Sequence, residues 1–272
     1  TQKSALSYAT GDILLTIDSD ILMEEDAIYN LIKPFNDSKI GATTGQVKVL
    51  NEEDNLLTKA TSTMYWNAFN VARQSLSSFG IVNICSGALS AYRKDILLVL
   101  MDDYVNQTFL NKLCIHGDDR ALTNMILRKG YDIVYVQKAI CYTISPNRLK
   151  NFIKQQYRWR QSTIRESLIV SKFAWKRHKL LFFETLFLLV LPFMGLIFLS
   201  LVIISTFIYP IILINIFLGL IIITFIHNIF LLIEKPSSYK YSFYYTLLTN
   251  FILIWLWPLA LINVRSSKWG TR

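Results

Sequence analysis

Two kinds of apolar pattern divide the chain. Up to about residue 145, short apolar runs alternate with amphipathic stretches and turn residues. Beyond residue 180 the apolar residues run on with almost no interruption. The first pattern predicts a globular α/β unit and the second predicts helices in lipid.

In the first part, residues 4–9 read as the end of a helix. Thr10-Gly11 stops it, since glycine tolerates the left-handed geometry of a helix end. Residues 12–17 form a nearly continuous apolar run, the pattern of a strand buried on both faces in a parallel sheet. A helix over 24–33 ends before Pro34, and 40–49 alternates as a strand. A long amphipathic helix covers 56–76. Residues 81–92 predict a strand interrupted at Ser86-Gly87. An acidic start, a basic end and Gly130 bound a helix over 118–129. Residues 132–136 are the next strand. Alternating strands and helices argue an α/β fold.

Leu149, Phe152, Ile153, Tyr157, Ile164 and Leu168 then make a stripe at helical spacing with bases between them. This predicts a helix lying in a membrane interface. Two spanning helices are expected over 184–208 and 211–233, turning at Tyr209-Pro210. A third apolar segment, 241–264, contains Pro258. Basic residues stand on both sides of it (Lys235 and Lys240 before, Arg265, Lys268 and Arg272 after). The positive-inside rule puts both ends in the cytosol, so this segment is expected to dip into the bilayer without crossing.

Composition sharpens this division. The 272 residues carry a formal net charge of +9, concentrated between Arg148 and Lys179. Only Glu166 opposes that block. Beside hydrocarbon-spanning sequence, a basic block reads as anchoring on the cytosolic side of a cell membrane and not as nucleic-acid binding. From 180 to 233 Glu184 is the lone carboxylate, and His227 the other titratable side chain of acid or base type. Cys85, Cys114 and Cys141 are odd in number and widely spaced, which suits reduced thiols. His116 and His227 read as structural. The chain opens on Thr1 in what looks like mid-helix, which is expected of a fragment lacking its N-terminal part.

Three clusters offer chemistry. Asp18-Ser19-Asp20 follows an apolar strand, at the sheet edge where open α/β folds bind ligands. Paired carboxylates there suit a hard cation and a diphosphate, and an acidic surface turn has the same composition. Gly117-Asp118-Asp119-Arg120 offers Asp119 as a general base, and both acids equally suit a helix start, with Asp118 as its cap. Gln155, Arg158 and Trp159 share one helix face. Arg158 suits a diphosphate and Trp159 a sugar ring. Ordinary interfacial anchors account for Arg160, Arg165 and Trp175. The terminal Trp269-Gly270-Thr271-Arg272 reads, by composition, as an interfacial aromatic with basic flanks.

Together these residues resemble the processive family 2 glycosyltransferases, and within them the bacterial-type hyaluronan synthases. Four stretches carry the resemblance: Cys85 to Arg93, Gly117 to Asn124, Lys154-Gln155-Gln156-Tyr157-Arg158-Trp159 running on to Ser167, and Trp269 to Arg272. The resemblance implies a partial GT-A (Rossmann-like) catalytic domain over 1–147, cytosolic, then interfacial helices over 148–179. It implies two transmembrane helices over 180–233, and a re-entrant segment with a gating motif over 234–272. It implies Asp119 as the base, and Asp18 and Asp20 as holding Mg²⁺ or Mn²⁺, with Asp18 also on the nucleotide. Ser86, Gly87, Asp118, Arg120, Gln155, Arg158 and Trp159 would bind substrate, and Trp269, Thr271 and Arg272 would close over the nucleotide. The implied partners are UDP-GlcNAc, UDP-GlcA, the nascent polysaccharide and the lipid bilayer, with no nucleic acid.

Two departures stand out. Ala88 occupies a position where the family pattern has proline. The upstream uridine-binding acids, the Gly-Lys pair and the N-terminal membrane helices are absent, so this chain alone is expected to be inactive. Rival readings are a chitooligosaccharide synthase of the nodulation type, a transferase moving one sugar onto a lipid, and a non-catalytic channel or scaffold subunit.

Overall fold

A computed structural model describes residues 2–114 and 117–265. Its strands are β1 (Ile13–Ile17), β2 (Leu22–Met23), β3 (Ile40–Val49), β4 (Leu89–Arg93), β5 (Thr108–Phe109), β6 (Lys112–Leu113) and β7 (Asp132–Thr143). Five of them form one mixed sheet in the order β1-β4-β3-β7-β2. Only β3 and β7 pair in parallel; β1–β4, β3–β4 and β2–β7 are antiparallel. β5 and β6 make a separate hairpin, turned through Leu110 and Asn111 at positive φ.

β1 therefore corrects its expectation. It is neither doubly buried nor parallel: it is an edge strand of the sheet, partly exposed, ending at Ile17, which is exposed. An apolar run reports how much surface a strand buries in total, and carries no information on its partner's direction. β3 holds the centre and is buried along nearly all its length. Between Gly45 and Gln46 its register with β7 jumps from Val136 to Ile140, so residues 137–139 form a bulge in β7. A side chain at Gly45 would collide with the Ala139 carbonyl and Leu89. That close approach is why the position has none.

Several helices follow the sequence pattern, with instructive differences. Gln2–Tyr8 is helical, but Gly11 is not among the glycines at positive φ; Gly130, at +94°, is the left-handed helix end. The predicted 24–33 helix ends before Pro34 as expected, at Ile32, and starts later, at Ala27. Ala27–Ile32 passes into a 3-10 turn, Lys33–Asn36, with the proline in its first turn, where its missing N–H costs nothing. The 56–76 helix is present as Leu56–Asn67, a π-helical turn Ala68–Arg73, and Gln74–Ser77. Asn55 and Thr58 cap its start reciprocally. Residues 82–88 are loop and not strand; Ile81 makes a lone bridge to Ile133.

The core lies where these helices cover the sheet, with Leu31, Leu89, Ile126, Leu127 and Ile133 fully buried. Leu181 belongs to the same core, so the first turns of the helix Lys179–Ile208 pack on the globular unit. That helix has 30 residues and contains an 18-residue stretch of mean hydropathy 2.9. At 1.5 Å per residue it is about 45 Å long, more than a bilayer's hydrocarbon thickness. Pro236–Ile262 is a second segment apolar and long enough to cross, though it changes from α to π to 3-10 geometry along its length. The predicted 211–233 helix is broken. Ile212–His227 stops at Asn228, and Ile229–Glu234 follows. Asn228 is buried and accepts a hydrogen bond from Asn67, so the break sits where the apolar hairpin docks on the globular unit.

The basic helix also departs from expectation. Leu149–Val170 is one helix, but its bases do not all face outward. Arg160 and Arg165 are buried, while Leu149 and Leu168 of the apolar stripe are exposed. The helix is wedged between the globular unit and Leu256–Ile262, so it is covered on more than one side. The anchoring explanation for Arg160 and Arg165 is thereby replaced. Arg165 pairs with Glu166 at 3.0 Å in the interior, and Arg160 lies over the Trp257 ring.

Candidate active site

β1 delivers Asp18-Ser19-Asp20 to the sheet edge, where all three residues are exposed. Because Ile17 pairs with Leu89, the turn before β4 must lie beside Asp18. A Cβ at Gly87 would stand 3.5 Å from Asp18 Oδ1 and 3.6 Å from Oδ2. The missing side chain leaves that face of the carboxylate open. Ser86 fixes the turn: its N–H donates to Thr44 Oγ1 at 3.0 Å and its carbonyl accepts from Ser90 Oγ at 2.7 Å.

The same turn is tied to the second cluster. Cys85 N–H donates to Thr123 Oγ1 at 2.9 Å, and Thr123 Oγ1 donates to the Asp119 carbonyl at 2.6 Å. Asp119 sits in the first turn of the helix Asp118–Arg128, its Oδ1 accepting from Arg120 N–H at 2.8 Å. The N-cap is Gly117, at φ +79°, so Asp118 is the first helical residue and not the cap. Burial pushes the Cys85 thiol up to about 12, which keeps it neutral beside this carboxylate.

The third cluster closes on the second through Gly117. A Cβ there would fall under 3.0 Å from Ser162 Cβ and 3.0 Å from Arg165 Nη2. The Asp119 loop and the helix carrying Gln155, Arg158 and Trp159 are thus in direct contact. Glu166 locks the junction: it accepts from Asn124 at 3.0 Å and from Gln107 at 3.2 Å besides pairing with Arg165. The Trp159 ring stands 6.4 Å from Tyr65. Gln155, Arg158 and Trp159 are each half-buried, and Gln155 Oε1 is a buried acceptor with no protein partner among the described residues. The Asp118 side chain and Trp269, Thr271 and Arg272 lie outside the described residues.

Residues 2–162 match the family described as glycosyltransferase like family 2. This chain belongs to that family. Over its whole length it is 35% identical to the hyaluronan synthase of Streptococcus pyogenes, of which it spans 65%. It is also 38% identical over 168 residues to an N-acetylglucosaminyltransferase of Neorhizobium galegae, covering 62% of this chain and 39% of that protein. Among solved structures it resembles the mannosyltransferase PcManGT of Pyrobaculum calidifontis, in complex with GDP-Man and Mn²⁺. The TM-score is 0.60 at 18% identity, covering 99% of this chain and 66% of that one. The likeness establishes a GT-A-like fold with a mixed sheet.

Within this family 2 domain, the strand ends and helix starts converge on one side of the sheet. The structure brings the expected Asp18, Gly87 and Asp119 near one another, and the residues that join them were not anticipated. Thr123 and Glu166 lie inside the stretches that carry the resemblance, but nothing in the sequence gives them a joining role. Arg73 lies on the predicted 56–76 helix. Its guanidinium covers the Phe69 ring at 3.9 Å from the centroid and interacts electrostatically with Asp119.

Residues of the Asp-Ser-Asp turn suit a hard divalent cation. Among the described residues no group of three or more candidate ligands converges. A pair of exposed carboxylates is nevertheless the usual protein share of a Mg²⁺ site whose remaining ligands are substrate phosphates and water. The space left at Gly87 is consistent with a ligand approaching Asp18 from that side.

Proposed function

We propose that the chain is the catalytic and membrane part of a processive, inverting hyaluronan synthase. It transfers GlcNAc and GlcA alternately from UDP donors to a growing polysaccharide at a cell membrane. The observation that carries this reading is the convergence of Asp18, Gly87, Asp119 and the Arg158-Trp159 helix on one side of the sheet. The identity with a hyaluronan synthase along the entire chain supports it.

In this reading Asp119 accepts the proton of the acceptor hydroxyl as its oxygen attacks the anomeric carbon. The bond from that carbon to the UDP oxygen breaks, and configuration inverts. Arg158 holds the departing diphosphate, and Trp159 stacks on the acceptor sugar. Asp18 and Asp20 would hold Mg²⁺ or Mn²⁺, which when bound offsets the diphosphate charge. Gly87 leaves room for the donor against Asp18, and Ser86, Asp118, Arg120 and Gln155 complete the pocket. The apolar helices span the bilayer with the catalytic domain on the cytosolic side. Pro236–Ile262 dips into the bilayer without crossing, which returns Trp269, Thr271 and Arg272 to the cytosolic face as a gate.

A second reading, a GlcNAc-only synthase, is favoured by the identity to the rhizobial N-acetylglucosaminyltransferase over the catalytic part. The test is UDP release by membranes carrying the complete polypeptide, given Mg²⁺ or Mn²⁺ with UDP-GlcNAc alone, UDP-GlcA alone, then both. Sustained release only with both, yielding a hyaluronidase-sensitive polymer, is expected. Sustained release with UDP-GlcNAc alone, yielding a chitinase-sensitive product, overturns the first reading in favour of the second.

A further inference from the structure

From residue 180 to residue 233 the chain carries one carboxylate, Glu184. A charge in a segment apolar enough to cross a bilayer is costly, and it is kept where it has a partner and a task. Glu184 lies on the second turn of the helix Lys179–Ile208. Leu181, one turn before it, is buried in the core of the globular unit. That packing turns Glu184 toward the catalytic domain: its Oε1 accepts a hydrogen bond from Asn83 Nδ2 at 2.5 Å. Asn83 belongs to the loop 82–88, which carries the Ser86-Gly87 turn beside Asp18. Other ties on this loop come from the globular unit. Val82 N–H donates to the Ile133 carbonyl at 3.3 Å, Cys85 N–H to Thr123 Oγ1 and Ser86 N–H to Thr44 Oγ1. The Asn83 bond is the tie that comes from the apolar helix. Asn83 and Glu184 also line a polar cavity with Arg120, Asn124, Glu166 and Thr185. Its volume is about 10 Å³, no more than one water needs. A space that small takes no substrate, so the carboxylate acts by fixing its neighbours.

We infer that Glu184 is a positioning residue: through Asn83 it ties the apolar helix to the turn that sets the donor's place beside Asp18. The inference rests on the reading of the Gly87 turn as the donor side of the site. Gly87 stands four residues after Asn83. Between them Cys85 and Ser86 bond side chains and not a neighbouring strand, so discrete contacts hold the loop's shape. A Cβ at Gly87 would stand only 3.5 Å from Asp18 Oδ1, so a small shift of the turn changes the gap left for a ligand. Misplacement of a reacting group by about 1 Å can cost a rate of order 100-fold.

The test compares Glu184→Leu, Glu184→Gln, Asn83→Ala and the Asn83→Ala, Glu184→Leu double variant in membranes carrying the complete polypeptide. It reads UDP release as UDP-GlcNAc is varied at fixed UDP-GlcA and Mn²⁺. Glu184→Leu removes a charge from an apolar helix and should insert at least as well as the parent, so a loss is not a failure of insertion. Glu184→Leu and Asn83→Ala should each raise the KM for UDP-GlcNAc about three- to tenfold with kcat within about twofold, the scale of one net hydrogen bond. The double variant should be no worse than the more affected single one, because both remove the same bond. Glu184→Gln keeps an acceptor oxygen for Asn83 and should stay near the parent. An unmoved KM in Glu184→Leu, effects that multiply in the double variant, or a Glu184→Gln variant as impaired as Glu184→Leu overturns the inference. So does a fall in kcat with KM held, which is what a merely structural role gives. Gly87→Val separates the two failures, since its side chain fills the space beside Asp18. An unmoved KM there removes the reading of the site, whereas a raised KM there with an unmoved Glu184→Leu removes only the role of Glu184. Should Glu184→Leu not fold, Asn83→Ala decides alone: a KM equal to the parent overturns the inference.

Discussion

Gly117→Ala is the sharpest test of how the Asp119 loop meets the Arg158-Trp159 helix. The backbone at 117 has φ +79°, a left-handed geometry that costs a residue bearing Cβ about 1–2 kcal/mol. The new methyl would also meet Ser162 Cβ at under 3.0 Å, with Arg165 Nη2 at 3.0 Å and Ser162 Oγ at 3.3 Å. Ser162 Cβ is fixed to a buried helix and cannot rotate away, so relief requires the loop to move. Overpacking of this kind costs about 1–3 kcal/mol. The two terms together predict a loss of about 2–5 kcal/mol. The assay is urea unfolding of the detergent-solubilised polypeptide, followed by tryptophan fluorescence, with turnover measured on the same samples. Ser162→Gly alone and in combination completes a double-mutant cycle. Removing the obstructing Cβ should recover the steric part and leave the φ cost, giving a coupling of about 1 kcal/mol or more. Zero coupling, or a Gly117→Ala variant as stable and active as the parent, would refute the stated contact between loop and helix.

Two further outcomes follow from buried groups. Glu166→Ala should destabilise by about 3–5 kcal/mol, because it removes the carboxylate beside a buried arginine and deprives Asn124 and Gln107 of their acceptor. Glu166→Gln, read by the same urea titration, should cost less, since an acceptor oxygen remains. For the thiols, burial pushes Cys85 and Cys141 from 9.0 to about 12. Their contribution to stability is complete below pH 9 and is lost as pH rises toward 12. A maleimide at pH 7.5 should therefore label half-buried Cys114 first, with Cys85 and Cys141 reacting only on unfolding. Equal labelling rates by mass spectrometry would contradict this.

Much of the molecule was legible in the chain itself. Apolar runs of different length separated an α/β unit from the helices beyond residue 180, because core burial and bilayer solvation demand different lengths. The strand 40–49 and the helices 56–76 and 118–129 followed from alternation, stripe and stop residues. Asp18, Asp119, Arg158 and Trp159 were named as candidates from residue type and spacing, and Gly87 from the family resemblance. Strand direction was not legible, since the apolar run at 13–17 suits either kind of partner, and only pairing with β4 made β1 an antiparallel edge. Nor was the fate of Arg160 and Arg165, which charge alone assigns to water. Arg165 pairs with its chain neighbour Glu166, and Asn124 and Gln107 reach that carboxylate from two distant places in the chain, which only folding brings together. Asn228 illustrates the same point, as a polar residue in an apolar run that ends a helix where Asn67, 161 residues earlier, meets it. Local pattern determined which elements form, because it reports periodicity and solvent preference. Tertiary structure decided which side chains meet, because a buried polar group is tolerable only with a partner that spacing along the chain does not reveal.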